Sequence, residues 1–277
     1  MRDALKKYGP CIGMWLLFEA VAVGLWLGLN NVFYLLNFTY IGTCLVVGLA
    51  LYAAGWRHAR RFVQIAVGLY LLGYLGLVRQ ENLQIEGFWY YLVLGVFEGA
   101  VIHYLVAKIA GPFVFGRGWC GYACWTAMVL DVLPWKTSPG RKQGLAWLRW
   151  ALLIGSVVFV AATFALGIAD HATYFVAFIV GNVAYYAVGI VLAFALKDNR
   201  AFCKYLCPIG ILMKPGAYLS LMRITWDEGR CVDCGACKRA CPMDVNMTCN
   251  ARNRENGTEC ILCLECVNAC PKDALKL

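Results

Sequence analysis

Apolar residues run in long blocks through the first 196 positions of this 277-residue chain, and the blocks then stop. Six of them, near 10–30, 33–55, 62–78, 87–107, 146–168 and 172–196, are long enough to cross a membrane. A helix rises about 1.5 Å per residue and a hydrocarbon core is about 30 Å thick, so roughly 20 apolar residues make one crossing. The third block, ending at Arg79, is the shortest and still falls in the spanning range. The pattern predicts an α-helical integral membrane protein with six spans. Residues 1–199 form the membrane domain, 200–223 a connector, and 224–277 a small α+β domain.

Hydrophobic residues make up 61% of the chain and charged residues 15%, which sets it apart from soluble domains. Lys6 and Lys7 precede the first block, and Ala20-Val21-Ala22 resembles a signal-cleavage site. Glu19 interrupts that run, however, and the apolar stretch continues to about Leu29, so an uncleaved span is expected. Net charge is +9, and its distribution argues against nucleic acid as a partner. Arg2, Lys6 and Lys7 precede span 1, and Arg57, Arg60 and Arg61 fill the turn between spans 2 and 3. Arg117, Lys136, Arg141, Lys142 and Arg149 lie between spans 4 and 5, and Lys197, Arg200 and Lys204 follow span 6. The other side holds Arg79 with Glu81, Glu86 and Asp170. This positive-inside pattern predicts an inner-membrane protein with both termini in the cytoplasm and 79–87 and 169–171 outside. Trp15, Trp56, Trp89, Tyr90 and Trp147 stand near span ends as an aromatic belt would. Fifteen cysteines facing a reducing compartment point to metal ligation rather than disulfides.

Eight of those cysteines form two runs of one spacing. The first is Cys231-x2-Cys234-x2-Cys237-x3-Cys241-Pro242 and the second Cys260-x2-Cys263-x2-Cys266-x3-Cys270-Pro271. Each is the bacterial two-cluster ferredoxin pattern, in which the fourth cysteine of one run ligates the cluster of the other. A [4Fe–4S] cube takes four thiolates: one tight loop supplies three corners and the last comes from elsewhere. Cluster I is therefore assigned to Cys231, Cys234, Cys237 and Cys270, and cluster II to Cys260, Cys263, Cys266 and Cys241. The competing reading is a pair of zinc sites, because Cys-x2-Cys also builds zinc ribbons.

A second cysteine pattern is repeated within the membrane domain. Arg117-Gly118-Trp119-Cys120-Gly121-Tyr122-Ala123-Cys124 follows span 4, and Arg200-Ala201-Phe202-Cys203-Lys204-Tyr205-Leu206-Cys207 follows span 6. The copies lie 83 residues apart, from Cys120 to Cys203, and each ends a helical hairpin. A duplicated hairpin-plus-motif unit, related by an axis along the membrane normal, would bring the two pairs face to face. Cysteines at i and i+4 share one helix face, so Cys120, Cys124, Cys203 and Cys207 have the number and spacing for a third iron–sulfur cluster, with Arg117 and Arg200 to offset its charge. Thiol redox chemistry, a direct quinone contact and plain packing of buried cysteines are the alternatives.

Two Cys-x3-Cys motifs at span ends, with a double ferredoxin motif after them, resemble the membrane polyferredoxin family of NapH and the C-terminal half of NosR. The likeness runs from about span 3 to the C-terminus. It implies quinol oxidation and electron delivery to a redox partner within a multi-subunit complex. The family pattern has proline after both pairs, whereas Trp125 follows the first pair here and Pro208 the second. The large flavin-bearing extracytoplasmic domain of NosR-like proteins has no counterpart.

Two further groups suit quinone and proton chemistry. Glu98 and His103 in span 4 are candidates for a proton relay and a quinone hydrogen bond, and Glu19 in span 1 is another buried carboxylate. A satisfied core histidine and protonated, hydrogen-bonded carboxylates are the plainer readings. Cys249 reads as a spare thiol, and Cys11 and Cys44 as small apolar residues. Lys238 and Arg239 near cluster I, against Glu259 and Glu265 near cluster II, predict that cluster I is the more readily reduced. The expected function is electron transfer between membrane quinone and a partner redox protein. The alternative is a maturation or regulatory factor that reduces a metal or thiol during assembly of another enzyme.

Overall fold

The computed structural model describes residues 2–97, 99–142 and 144–277, so Glu98 lies outside the described residues. Helices α1 (Arg2–Leu29), α2 (Val32–Ala53) and α3 (Ala59–Val78) come first. They are followed by α4 (Ile85–Val93), α5 (Gly99–Phe115), α6 (Gly118–Tyr122), α7 (Trp125–Leu130), α8 (Leu148–Ala165) and α9 (His171–Leu196). Asn31 caps α2 by accepting from the Phe33 amide at 3.0 Å, and Asp170 caps α9 by accepting from the Thr173 amide at 2.7 Å. Among the described residues, α1, α2, α3, α8 and α9 are long and apolar enough to cross a membrane, five helices rather than the six expected.

The difference lies in the fourth expected span, which is two helices with a break at 94–97. Gly95 adopts a left-handed φ of 69°, its amide bonds the Leu92 carbonyl, and the Val96 amide bonds the Tyr91 carbonyl. That closure ends α4 as a Schellman motif. Gly99, with φ 45°, then turns the chain into α5. Within α5, Pro112 cannot donate to the carbonyl one turn back, and Leu105–Ala110 widens into π winding. The preceding segment is buried. Asn82, Leu83, Gln84 and Ile85 are all at most 2% exposed, and Asn82 donates to the Tyr174 carbonyl of α9 at 2.9 Å. This stretch is packed into the bundle. A run of uniformly apolar residues does not register either glycine as a stop, which is why the pattern read straight through them.

After α9 come α10 (Ala201–Tyr205), α11 (Ile209–Leu212) and α12 (Lys214–Leu219), which lead into the C-terminal domain. There β1 (Thr225–Trp226) pairs antiparallel with β2 (Leu275–Lys276) and closes the domain end to end. Two short helices, α13 (Ala236–Ala240) and α14 (Glu265–Asn268), follow the cysteine loops. One hydrophobic core runs from Phe18 of α1 through Trp119, Cys120 and Cys203 to Ile261, Leu262, Leu264 and Leu275. The membrane helices and the ferredoxin-like part are therefore packed as a single body.

Candidate functional site

The cysteine loops of the C-terminal domain carry an unusual density of left-handed residues. Asp233, Gly235, Asp244, Leu262, Leu264 and Asp273 have φ between 49° and 68°. Residues before and after the second cysteine of each run take this conformation in both copies, Asp233 and Gly235 matching Leu262 and Leu264. For leucine that conformation is strained, and such strain persists where the surroundings enforce it. Alternation of left- and right-handed residues turns successive amides inward, forming the backbone nests found at iron–sulfur sites. The amides of Val245 and Ala274 accordingly donate to Cys241 Sγ at 3.4 Å and Cys270 Sγ at 3.3 Å.

Two cavities sit inside these loops. One is lined by Cys231, Cys234, Cys237 and Cys270, the other by Cys241, Cys260, Cys263 and Cys266. Each thus gathers three cysteines of one run and the fourth of the other. Among the described residues, no three His, Cys, Asp or Glu side chains converge tightly enough for a single metal ion. The eight thiols line the two cavities in the three-plus-one arrangement that a pair of cubes requires. Cys249 lines neither cavity.

The duplicated membrane motif folds the same way twice. Arg117 and Arg200 precede α6 and α10 with similar backbone angles, φ −93° and −101°. Each helix lasts five residues. The Ala123 and Cys124 amides both donate to the Trp119 carbonyl, just as the Leu206 and Cys207 amides both donate to that of Phe202. The two cysteines of a pair therefore do not share a helix face as their spacing suggested: the second lies past the helix end in each copy. Cys124 and Cys207 instead lead into α7 and α11, where the amides three residues on, Ala127 and Gly210, favour the thiolates against the effect of burial. Trp125, standing where Pro208 stands in the second copy, keeps this local fold and donates to Asn182 Oδ1 at 2.8 Å. Asn182 lies near the middle of α9, so the first motif is set down among the helices rather than at their ends.

The four thiols form one electrostatic group, Cys203 feeling the charges of Cys207, Cys124 and Cys120. Burial pushes the Cys124 and Cys207 thiols up, and pushes Cys203 up to about 12 against the opposing pull of Arg200. Ligation would have to displace those protons, as metal binding by thiols does generally. Arg200 reaches Cys203 Sγ at 3.9 Å and the Cys120 carbonyl at 3.2 Å. Around the group stand buried polar atoms with no hydrogen-bond partner among the described residues: His103 Nε2, the Tyr104 hydroxyl and Trp119 Nε1. His103 meets the Trp119 ring edge-on at 5.0 Å, and the Lys108 ammonium sits 4.6 Å over that same ring. Buried polar atoms without partners are costly, which marks this part of the bundle as suited to a bound group. Glu19 lies elsewhere, accepting from Thr39 Oγ1 at 3.0 Å between α1 and α2. Cys11 is buried and Cys44 half-buried, both in spanning helices.

Two buried ion-pair centres, at Glu259 and Lys204, tie this motif to the inner cysteine loops, and a third, at Asp131, ties it to the start of α3. Glu259, the residue before that cysteine, is 2% exposed; it pairs with Arg117 and takes two bonds from Arg149 at 2.7 and 3.1 Å. Lys204, fully buried between Cys203 and Cys207, bonds Asp198 and Asp244 at 2.7 Å each, and Asp244 follows Cys241. Asp131 binds Arg200 at 2.6 Å and Arg60 at 2.9 Å. Burial raises both carboxyls, but it is outweighed: Arg200 and Arg60 hold Asp131 at about 2, and Arg117 and Arg149 hold Glu259 well below the usual range. Tyr122 adds a hydroxyl bond to the Leu262 carbonyl at 3.1 Å. Gly121 passes so near that a Cβ there would stand 2.3 Å from the Ile261 carbonyl.

This geometry overturns the expected charge balance at the second cavity. Glu259 does not present a free negative charge, because four cations (Arg117, Arg149, Arg141 and Lys214) lie within 4 Å of it. Arg149 and Lys204, read from the sequence as topology markers, are core residues of the junction. The one sequence signal for Glu259 is its place directly before a ligand-type cysteine. Asp131 was legible only as a single charge in an apolar segment.

Comparison with known proteins agrees with this site. The family model described as a 4Fe-4S dicluster domain matches residues 223–271, and that described as a 4Fe-4S binding domain matches twice, over 100–145 and 181–225. Each copy of the latter contains one membrane cysteine pair. An uncharacterized protein of Methanocaldococcus jannaschii is 27% identical over 178 residues, covering 60% of this chain and 68% of its own length. Protein RdxB of Cereibacter sphaeroides is 28% identical over 193 residues, 52% of this chain and 40% of its own. The putative electron transport protein YccM of Escherichia coli is 35% identical over 65 residues, 24% of this chain and 18% of its own. The chain thus spans well under half of the last two relatives. No solved structure matches. The 4Fe-4S domains, with a putative electron transport protein among the relatives, support an iron–sulfur electron-transfer family for this membrane-capable, mostly helical chain.

Proposed function

We propose that this chain is the electron-transfer subunit of a membrane redox complex and passes electrons between the quinone pool and a partner redox protein. When bound, [4Fe–4S] clusters supply one-electron oxidation and reduction. Cys231, Cys234, Cys237 and Cys270 would hold one, Cys241, Cys260, Cys263 and Cys266 a second, and Cys120, Cys124, Cys203 and Cys207 a third. The observation that carries the reading is the junction itself. Glu259, Lys204 and Gly121 seat the Cys260 loop on the duplicated motif, which gives a line of thiolate sites from the helices outward to exposed Cys234.

An apolar groove beside Trp119, walled by Met14, Phe18, Leu45, Phe115 and Leu262, supports a quinone as the membrane-side partner. His103, with an unpartnered Nε2 against the Trp119 ring, is the group proposed to contact a quinone oxygen or carry its proton; the same proton role is proposed for Glu98. The test uses the anaerobically purified full chain, chemically reduced and then mixed with a short-chain quinone. Re-oxidation followed by EPR should be complete, and Phe18→Trp, which narrows the groove, should slow it about tenfold, the effect of about 1.4 kcal/mol on a barrier. A reduced protein that keeps its signals in excess quinone would reject the proposal.

The charge pattern supports a cytoplasmic ferredoxin domain in the inner membrane. Reporter fusions after Leu277 and after Asp170 should then read as cytoplasmic and extracytoplasmic respectively. The opposite result would move the partner to the other compartment.

A further inference from the structure

A cleft of about 660 Å³ opens between the α2–α3 turn, the loop after α7, the residues before α10 and the Cys241 and Cys260 loops. Its charge is unbalanced. Arg57, Arg60, Arg61, Lys136 and Arg200 line it, against Asp131, Asp198 and Glu265. Asp198 shares buried Lys204 with Asp244 at 2.7 Å each, so the lining stands at five cations to three carboxylates. Arg60 spans both, at 2.9 Å from Asp131 and 3.8 Å from Glu265, while Arg61 stands 3.7 Å from Asp131. At the rim, the Arg57 and Lys136 side chains are exposed and have no hydrogen-bond or ion-pair partner among the described residues.

From this geometry we infer that the cleft binds a phosphate-bearing anion. Its volume is that of a small-molecule site rather than a flat protein interface. The surplus of two positive charges calls for a multiply charged ligand, and guanidinium groups match phosphate oxygens bidentately. Arg117, Arg200 and Lys108 already attend the thiol group, whereas Arg57, Arg61 and Lys136 bond no cysteine. Ala240, Pro242 and Ile261 form the far wall, so a bound anion would lie beside the inner cysteine loops. Two sources share this chemistry, a soluble phosphorylated molecule and the headgroup of an anionic phospholipid. The site does not depend on the electron-transfer proposal, because its test reads binding alone.

The experiment uses the full chain in phosphatidylcholine nanodiscs, titrated calorimetrically with inorganic pyrophosphate, alongside discs containing phosphatidylglycerol analysed by native mass spectrometry for retained lipid. The double variant Arg57→Gln/Lys136→Gln alters only exposed side chains, so it should fold. Pyrophosphate binding weakened at least tenfold in the variant assigns the cleft to a soluble ligand. Absence of pyrophosphate binding, with phosphatidylglycerol retained by the wild type and lost at least tenfold more readily by the variant, assigns it to a lipid. Neither probe binding, or equal binding by both proteins, would overturn the inference.

Discussion

Replacing Cys203 by alanine should lower the iron content of the anaerobically purified chain from about twelve atoms to about eight, at four per cube. The thiol is 6% exposed, touched by Arg200, and grouped with Cys120, Cys124 and Cys207. Cys11, Cys44 and Cys249 stand outside both motifs, which leaves no substitute corner. EPR signals of the two ferredoxin-type sites should persist in the variant, while re-oxidation by quinone should stop. A wild-type protein with about eight irons, or a variant that keeps twelve, would remove the third site and return the four cysteines to thiol chemistry or packing.

The second large effect belongs to Glu259. Its carboxylate is the shared counter-charge of buried Arg117 and Arg149, so Glu259→Ala leaves two guanidinium groups without compensation inside the protein. Removing one partner of a buried ion pair costs about 3–5 kcal/mol, enough to undock the ferredoxin loops or unfold the chain. Thermal unfolding should show a large loss of midpoint, with Glu259→Gln falling between the variant and the wild type because its one remaining oxygen still accepts from an arginine while the charge is lost. The pH dependence has a defined sign. A carboxyl depressed by folding contributes stability that is fully present above its unfolded value of about 4.3 and is lost as pH falls through the folded one. For Glu259 and Asp131 that loss lies far below neutrality, Asp131 titrating at about 2. The midpoint should therefore be flat between about pH 6 and 8 as far as these pairs are concerned. A wild-type midpoint unchanged by Glu259→Ala would mean that the junction is held by apolar contact alone.

Sequence legibility divides along physical lines. Spacing and type determine a cysteine loop, because a cube or nest needs short, fixed separations; the two runs were readable for that reason, as was the Arg-to-Cys repeat. Helix continuity inside apolar sequence was not. Gly95 and Gly99 break α4 from α5 through φ values that composition does not disclose, and the polar residues Asn82 and Gln84 are buried by partners on α9. The i, i+4 spacing of the membrane pairs also misled, since α6 and α10 end before the second cysteine. Long-range ion pairs such as Arg149 with Glu259, 110 residues apart, leave no local signal at all.

The seat of Ile261 against Gly121 bears on biogenesis. Leu262 and Leu264 flank Cys263 and belong to the core shared with the membrane helices, so the inner cysteine loop is walled in once the two parts meet. In the proposed chain of sites, iron and sulfide would reach Cys266, the buried corner of the inner loop, most directly while that loop stands away from the bundle, with docking as the closing step. The outer loop, with Cys234 exposed, keeps an open face after docking.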